Sequence, residues 1–265
     1  MSVPEEVGRT LLDALDTSGR GVILFVRTLR HFARLRGTFG RIVEQEFVCG
    51  VCSIPVVAIT ALFSGMVISG QVGLALRQFD ALSSVGGVTG ISMCRELGPV
   101  LTAVVVAGFV GGGMASVIAT MKVNEEIDAL EVMSIDPVRY LVVPRLAAMI
   151  VGVPLLTVFA DTVGIWGGWM VGRYTLGIAD AEFLRSCREM LMVKDVWFGM
   201  LKGLVFSIII TMVACVQGFS AEGGPEGVGR ATMKSVVYSF LLILIANYIL
   251  FSLIWRPFLD EGINA

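Results

Sequence analysis

The chain has 265 residues, long enough for one or two ordinary soluble domains, yet 55% of them are hydrophobic and only 16% charged. With its 31 glycines counted, about two-thirds of the chain is apolar or Gly, and the mean hydropathy is +0.83. So little polar surface cannot cover a globule in water, and the near-balanced net charge of −2 leaves no electrostatic footprint for nucleic acid.

In chain order, the first 46 residues stand apart. Leu11 to Leu35 mixes apolar residues with Arg20, Arg27, Arg30 and Arg34, and its charge-free core, Gly21 to Val26, is too short to cross a bilayer. It reads as an amphipathic helix lying in the membrane interface, arginines toward the headgroups. Residues 47–265 form one membrane domain in which five stretches qualify as spans: Phe47–Leu76, Leu97–Met121, Leu146–Gly172, Val196–Phe219 and Ser235–Trp255. The runs are continuous and not alternating, so helix is expected over barrel. The fold class is therefore all-α integral membrane, an interfacial helix followed by five transmembrane helices. Seven arginines ahead of Phe47 lead a modest basic excess that places the N-terminus in the cytoplasm and the C-terminus outside.

Polar features break this apolar background. Between the second and third spans, five carboxylates oppose three cations over Lys122 to Arg145, contrary to the positive-inside tendency. Within that loop, Ile127, Leu130 and Met133 recur at helical spacing and Pro137 ends the run. A short helix at about 124–134, with an apolar edge and acidic flanks from Glu125, Glu126, Asp128 and Glu131, suits the docking of a cytoplasmic partner. Arg95 and Glu96 open the second span, Asp161 lies deep in the third, and Lys202 lies near the outer end of the fourth. Charges in a bilayer cost at least about 2.5–3.5 kcal/mol each, so they face protein and pair, with Glu96 and Asp161 as candidates for Lys202. Gly108 and Gly112 make a G-x-x-x-G, Gly164, Gly168 and Gly172 make two more, and Ala107, Gly111, Ala115 and Ala119 form a small-residue ridge, all suited to close helix packing. Cys49 and Cys52 form a C-x-x-C without a second Cys/His pair, so no metal site is expected. No G-x-x-x-x-G-K-[ST] occurs, and Gly218 to Glu222 misses G-x-S-x-G at its last residue. A catalytic role is not expected, nor a bound cofactor. A solitary secondary transporter or channel, with Asp161 as an ion or proton relay, is the rival reading.

Four segments then carry a resemblance: CRELGPVLTAVVVAG (Cys94–Gly108), MKVNEEIDALEVMSIDPVRYLVVPR (Met121–Arg145), ADTVGIWGG (Ala160–Gly168) and EGVGRATMKSVV (Glu226–Val237). Together they resemble the MlaE/YrbE permeases, membrane subunits of ABC transporters that work with MCE-domain proteins. The resemblance implies an inner-membrane homodimer of the same topology, with ATP and Mg held by a separate cytoplasmic ATPase docked on Glu125–Met133. It further implies an MCE ring on the outer face, in some systems a STAS-type subunit, and phospholipid as the transported class. The lipid cavity would take Leu62, Met66, Gln71 and Leu74 from the first span and Tyr248 and Phe251 from the fifth, with Arg95, Glu96 and Lys202 near it. Family members commonly carry arginine where this chain has Phe109, so polar contacts from that turn do not carry over.

Overall fold

The computed structural model describes residues 19, 21–30 and 39–263, and among them every regular element is helical. Five helices are long and apolar enough to cross a membrane: Ile42–Arg77, Leu82–Val123, Val138–Tyr174, Val193–Phe219 and Gly224–Leu253. They number as expected but extend past the charge-free runs. The first starts in a helix, Phe39–Cys49, that is set off from Ile54–Arg77 by a tight turn at Val51–Ser53. Pro55, in the opening turn of the second piece, has no N–H to continue the ladder backwards, which is why the helix restarts there.

The third span is the hub. The first span packs along it on one side, the fourth on another, and the fifth leans on the second and fourth. Small residues set these distances. A Cβ on Gly65 would sit inside the carbonyl of Gly164, so the first and third spans touch backbone to backbone, with Ser69 Oγ donating to the Gly168 carbonyl at 2.9 Å alongside. Between them the second, third, fourth and fifth spans enclose a core of Val106, Val110, Met149, Leu156, Phe206 and Ile243. The first and fifth spans contribute little to the interior: 22% and 11% of their most apolar stretches are buried, against 78% for the third. Their outward faces are lined by Ile59, Phe63, Val67, Leu241, Leu244 and Tyr248.

Each end of the bundle carries a short helix. At one end, Asp180–Met190 folds over the start of the second span: Phe183 is buried, the Gly87 N–H donates to Ser186 Oγ at 2.9 Å, and the Cys187 thiol donates to the Gly86 carbonyl at 3.0 Å. At the other end, Glu126–Val132 follows the second span. Residues 21–30 are helical at this same end, with Leu24 and Phe25 against the core and Arg27 and Arg30 exposed. Arg20, Arg34 and the rest of the expected interfacial segment lie outside the described residues.

Candidate functional site

The charged residues of the second and fourth spans come together in one cluster. Arg95 and Glu96 do not open the second span, as the apolar run suggests; they lie within it, on a π-helical turn, Met93–Leu97, of a helix beginning at Leu82. Such wide turns redirect side chains and leave the backbone locally open to outside partners. Lys202 fills that role: its Nζ donates to the Arg95 carbonyl at 2.8 Å and to Glu96 Oε1 at 2.5 Å, with the lysine side chain only 2% exposed. The fourth span can approach because Gly199, one turn earlier, faces the Cys94 carbonyl; a Cβ there would lie 2.6 Å from that oxygen.

Two further residues complete the cluster. Asp195 is buried and accepts from Arg95 Nε at 2.7 Å through Oδ1, while its Oδ2 accepts the Met192 N–H at 2.9 Å and so caps the fourth span. Asn247 of the fifth span donates through Nδ2 to Glu96 Oε2 at 3.0 Å. Thus two cations and two carboxylates from the second and fourth spans balance inside the protein, with the fifth span fastened to them by one amide. The head of Lys202 and the Nε of Arg95 are thereby engaged within the chain. Neither Asp195 nor Asn247 was among the expected site residues. Their signals were faint: an Asp three residues into a helix, and a lone amide in the apolar run Leu241–Leu253.

At the opposite end, the Glu126–Val132 helix has two distinct faces. Glu125, in left-handed backbone at φ 61°, turns the chain sharply out of the second span, and Ser134 at φ 59° turns it back. Lys122 Nζ meets Asp128 Oδ1 at 2.8 Å and ties the short helix to the span before it. Ile127 and Leu130, expected on a docking edge, are turned inward instead. They pack with Ile118, Leu141, Leu146, Met212 and Cys215, residues of the second, third and fourth spans. The surface left outside is formed by Glu125, Glu126, Asp128 and Glu131 with Val132 and Met133, the last two 87% and 60% exposed. Burying the apolar pair in the chain's own core makes this helix a fixture of the bundle and leaves an acidic, partly apolar outer face.

The residues expected to line a lipid cavity are not gathered within one chain. Leu62 and Met66 are half-buried, Gln71 and Leu74 exposed, all on the first span; Tyr248 and Phe251 are exposed on the fifth. These two spans share no packed interface among the described residues. Phe109 is also exposed, in a second π-helical turn at Ala107–Gly111.

Comparison with known proteins decides the family. The family model described as Permease MlaE matches residues 42–253. The chain belongs to the MlaE permease family. Among its relatives are a probable ABC transporter permease of Rickettsia typhi, 43% identical over 215 residues covering 81% of this chain and 83% of the relative. A probable ABC transporter permease of Synechocystis is 40% identical over 222 residues, covering 84% and 83%. The intermembrane phospholipid transport system permease MlaE of Haemophilus influenzae is 31% identical over 245 residues, covering 92% and 94%.

For an MlaE-family ABC permease, the rival reading of Asp161 as the relay of a solitary transporter loses its footing. In the structure Asp161 does not pair with Lys202. It is buried on the third span against Gly98, and neither of its oxygens makes a hydrogen bond among the described residues. The glycine motifs divide as well. Gly164, Gly168 and Gly172 of this permease are all in close contact with neighbours, and Gly111 faces Ile210, whereas nothing stands within 4 Å of a Cβ built on Gly108. Of the G-x-x-x-G in the second span, only Gly112 packs within the chain.

Proposed function

We propose that this permease works as a homodimer in the inner membrane, moving phospholipid between inner and outer membranes under the drive of a separate ABC ATPase. The class of lipid follows the Haemophilus relative, a phospholipid transport permease by name. The observation that carries the dimer is the placement of the first and fifth spans. Both leave long apolar faces unpacked, and a second copy related by a two-fold axis would bring a first-span face and a fifth-span face onto one central space. Leu62, Met66, Gln71, Leu74, Tyr248 and Phe251 would then line a cavity whose Leu and Met side chains adapt to acyl chains. Arg95, Glu96 and Lys202 would act as its structural floor, since the lysine head is already engaged by Glu96 and the Arg95 carbonyl.

Coupling runs through the Glu126–Val132 helix. ATP and Mg belong to the partner, and this chain supplies the acidic face of Glu125, Glu126, Asp128 and Glu131, with Met133, for a cleft in the ATPase. Because Ile127 and Leu130 are anchored among three spans, a push on that face is delivered directly to Ile118, Leu146 and Met212. This orientation sets the short helix and the N-terminus in the cytoplasm and the C-terminus outside, where an MCE-domain ring would receive lipid; a STAS-type subunit would sit on the ATPase. The test is Glu131→Lys. It reverses a charge on the exposed face without touching the anchor, so the permease should remain folded and dimeric while ATPase recovery in pull-downs and ATP-driven lipid transfer in proteoliposomes both fall. Undiminished ATPase binding and transfer in that variant would remove the docking assignment.

A further inference from the structure

We propose a phospholipid site on the side of the bundle, separate from any cavity between two copies: a phospholipid lodges one acyl chain between the fourth and fifth spans and its phosphate-bearing headgroup beneath the helix of residues 21–30. A groove of about 590 Å³ runs there, lined by Phe25, Ile209, Met212, Leu242 and Ile245, with Tyr238 at its side. That is ample for a small-molecule ligand. Along the fourth span it reaches from Ile208 to Gln217, about 14 Å of helix, which matches one leaflet of a hydrocarbon core roughly 30 Å thick.

The occupant is indicated by three observations. Apart from Gly21, Val22 and Phe25 of the helix 21–30, the walls belong to the fourth and fifth membrane spans, so the medium that fills the apolar gap between them is acyl chain. Gln217 is only 6% exposed, makes no side-chain hydrogen bond among the described residues, and lines the groove. An unpartnered amide in an apolar channel calls for a ligand with an acceptor near one end, as an ester-linked chain provides. Finally, Val216 forms a wall shared with a second hollow of about 610 Å³ at the membrane edge, lined by Arg27, Lys122, Asp128, Glu131 and Asp136. Lys122 is held by Asp128, whereas Arg27 is exposed and has no ion pair among the described residues. Arg27 is therefore placed to meet the phosphate of a lipid whose chain lies in the groove.

The site requires only that the chain spans a bilayer, so it can fail while the transport reading stands, and the reverse. The experiment reconstitutes the full-length permease in vesicles of phosphatidylethanolamine and phosphatidylglycerol containing a phosphatidylethanolamine with a diazirine on its acyl chain. After illumination, adducts are mapped by peptide mass spectrometry. Adducts should concentrate on residues 208–217 and 238–245, and Arg27→Glu should reduce them severalfold while labelling of the first span stays constant. Labelling no richer in the groove than on the exposed first-span face, or unchanged by Arg27→Glu, overturns the proposal. So does efficient chain-to-chain cross-linking of Val213→Cys with a short bifunctional reagent, above the native-cysteine background, because a second copy would then fill the groove.

Discussion

Lys202→Met tests whether the buried cluster is a structural knot. The substitution keeps the stem and removes the charge, leaving Glu96 without its cation and the Arg95 carbonyl without a donor. Breaking a fully buried ion pair from one side costs about 3–5 kcal/mol. Here the lysine is 2% exposed but Glu96 is 37% exposed and keeps Asn247, so the loss should be smaller, about 2–3 kcal/mol. For a protein of this size that is on the order of 5–10 °C in thermal midpoint. Unfolding in mild detergent can be followed with a thiol-reactive dye, since Cys49, Cys94 and Cys215 are buried and become reactive only as the bundle opens. The informative comparison is the double variant Lys202→Met with Glu96→Gln. Neutralising the orphaned carboxylate should restore much of the midpoint, giving a coupling energy between the two sites. If the two losses simply add, the pair is not coupled and the reasoning from geometry fails.

Three other outcomes follow from the same structure. Gly65→Ala should unfold or severely destabilise the permease, because its methyl would enter the Gly164 carbonyl, whereas Gly113→Ala, with nothing within 4 Å, should leave the midpoint within about a degree. Comparable melting curves for the two would contradict the backbone contact between first and third spans. The Cys187 thiol, outside the spans, is pushed up to about 11 by burial. Since the thiolate is the nucleophile and a raised pKa depletes it at neutral pH, alkylation of Cys187 should be slow at pH 8 and rise about tenfold per pH unit toward 11. Fast labelling at pH 7 by peptide mass spectrometry would show that the Asp180–Met190 helix does not cover it. Glu131→Lys, finally, should melt like the parent, because Glu131 is exposed on the acidic face. A midpoint drop of more than a few degrees would mean that its lost transport reports misfolding and not docking.

How legible this was in the amino-acid sequence depended on the range of the interactions involved. Spans are set by runs of neighbouring apolar residues, so all five were visible, as was the acidic loop helix. Their limits were not, wherever a charge is neutralised by a distant residue: the second span continues through Arg95 and Glu96 because Asp195, Lys202 and Asn247, some 100 to 151 positions away, satisfy them. Periodicity showed that Ile127 and Leu130 share a face but could not say that the face was already occupied by Ile118 and Met212. Small-residue spacing likewise marked Gly108 and Gly164 as equals, though one lies open and the other meets the Ala61 carbonyl and Met93. Family resemblance identified the chain's relatives without supplying these contacts.

The contacts also say where this bundle can bend. The first and third spans meet through Gly65 and Gly164, the second and fourth through Gly199 against the Cys94 carbonyl, and again through Gly218, whose Cβ would lie 2.7 Å from Ile118 Cβ. Backbones held at that distance have no side-chain slack, so four spans behave as one block. The fifth span meets the block differently: a Cβ built on Gly112 would lie 3.3 Å from Val236 Cγ2, a side chain, and most of the helix is exposed. Its polar fastening is Asn247 to Glu96, while Ser235 and Ser239 face inward without hydrogen-bond partners among the described residues. Motion between the fifth span and the rest should therefore be cheapest, and Asn247 should limit it. Asn247→Leu keeps the residue's bulk and hydropathy suited to the span but releases Glu96 Oε2. Hydrogen exchange should then quicken in the fifth span around residue 247 and stay unchanged in the first and third. Uniform acceleration through all five spans would mean that the glycine contacts do not hold the block together, and the division into a rigid block and a mobile fifth span would have to be abandoned.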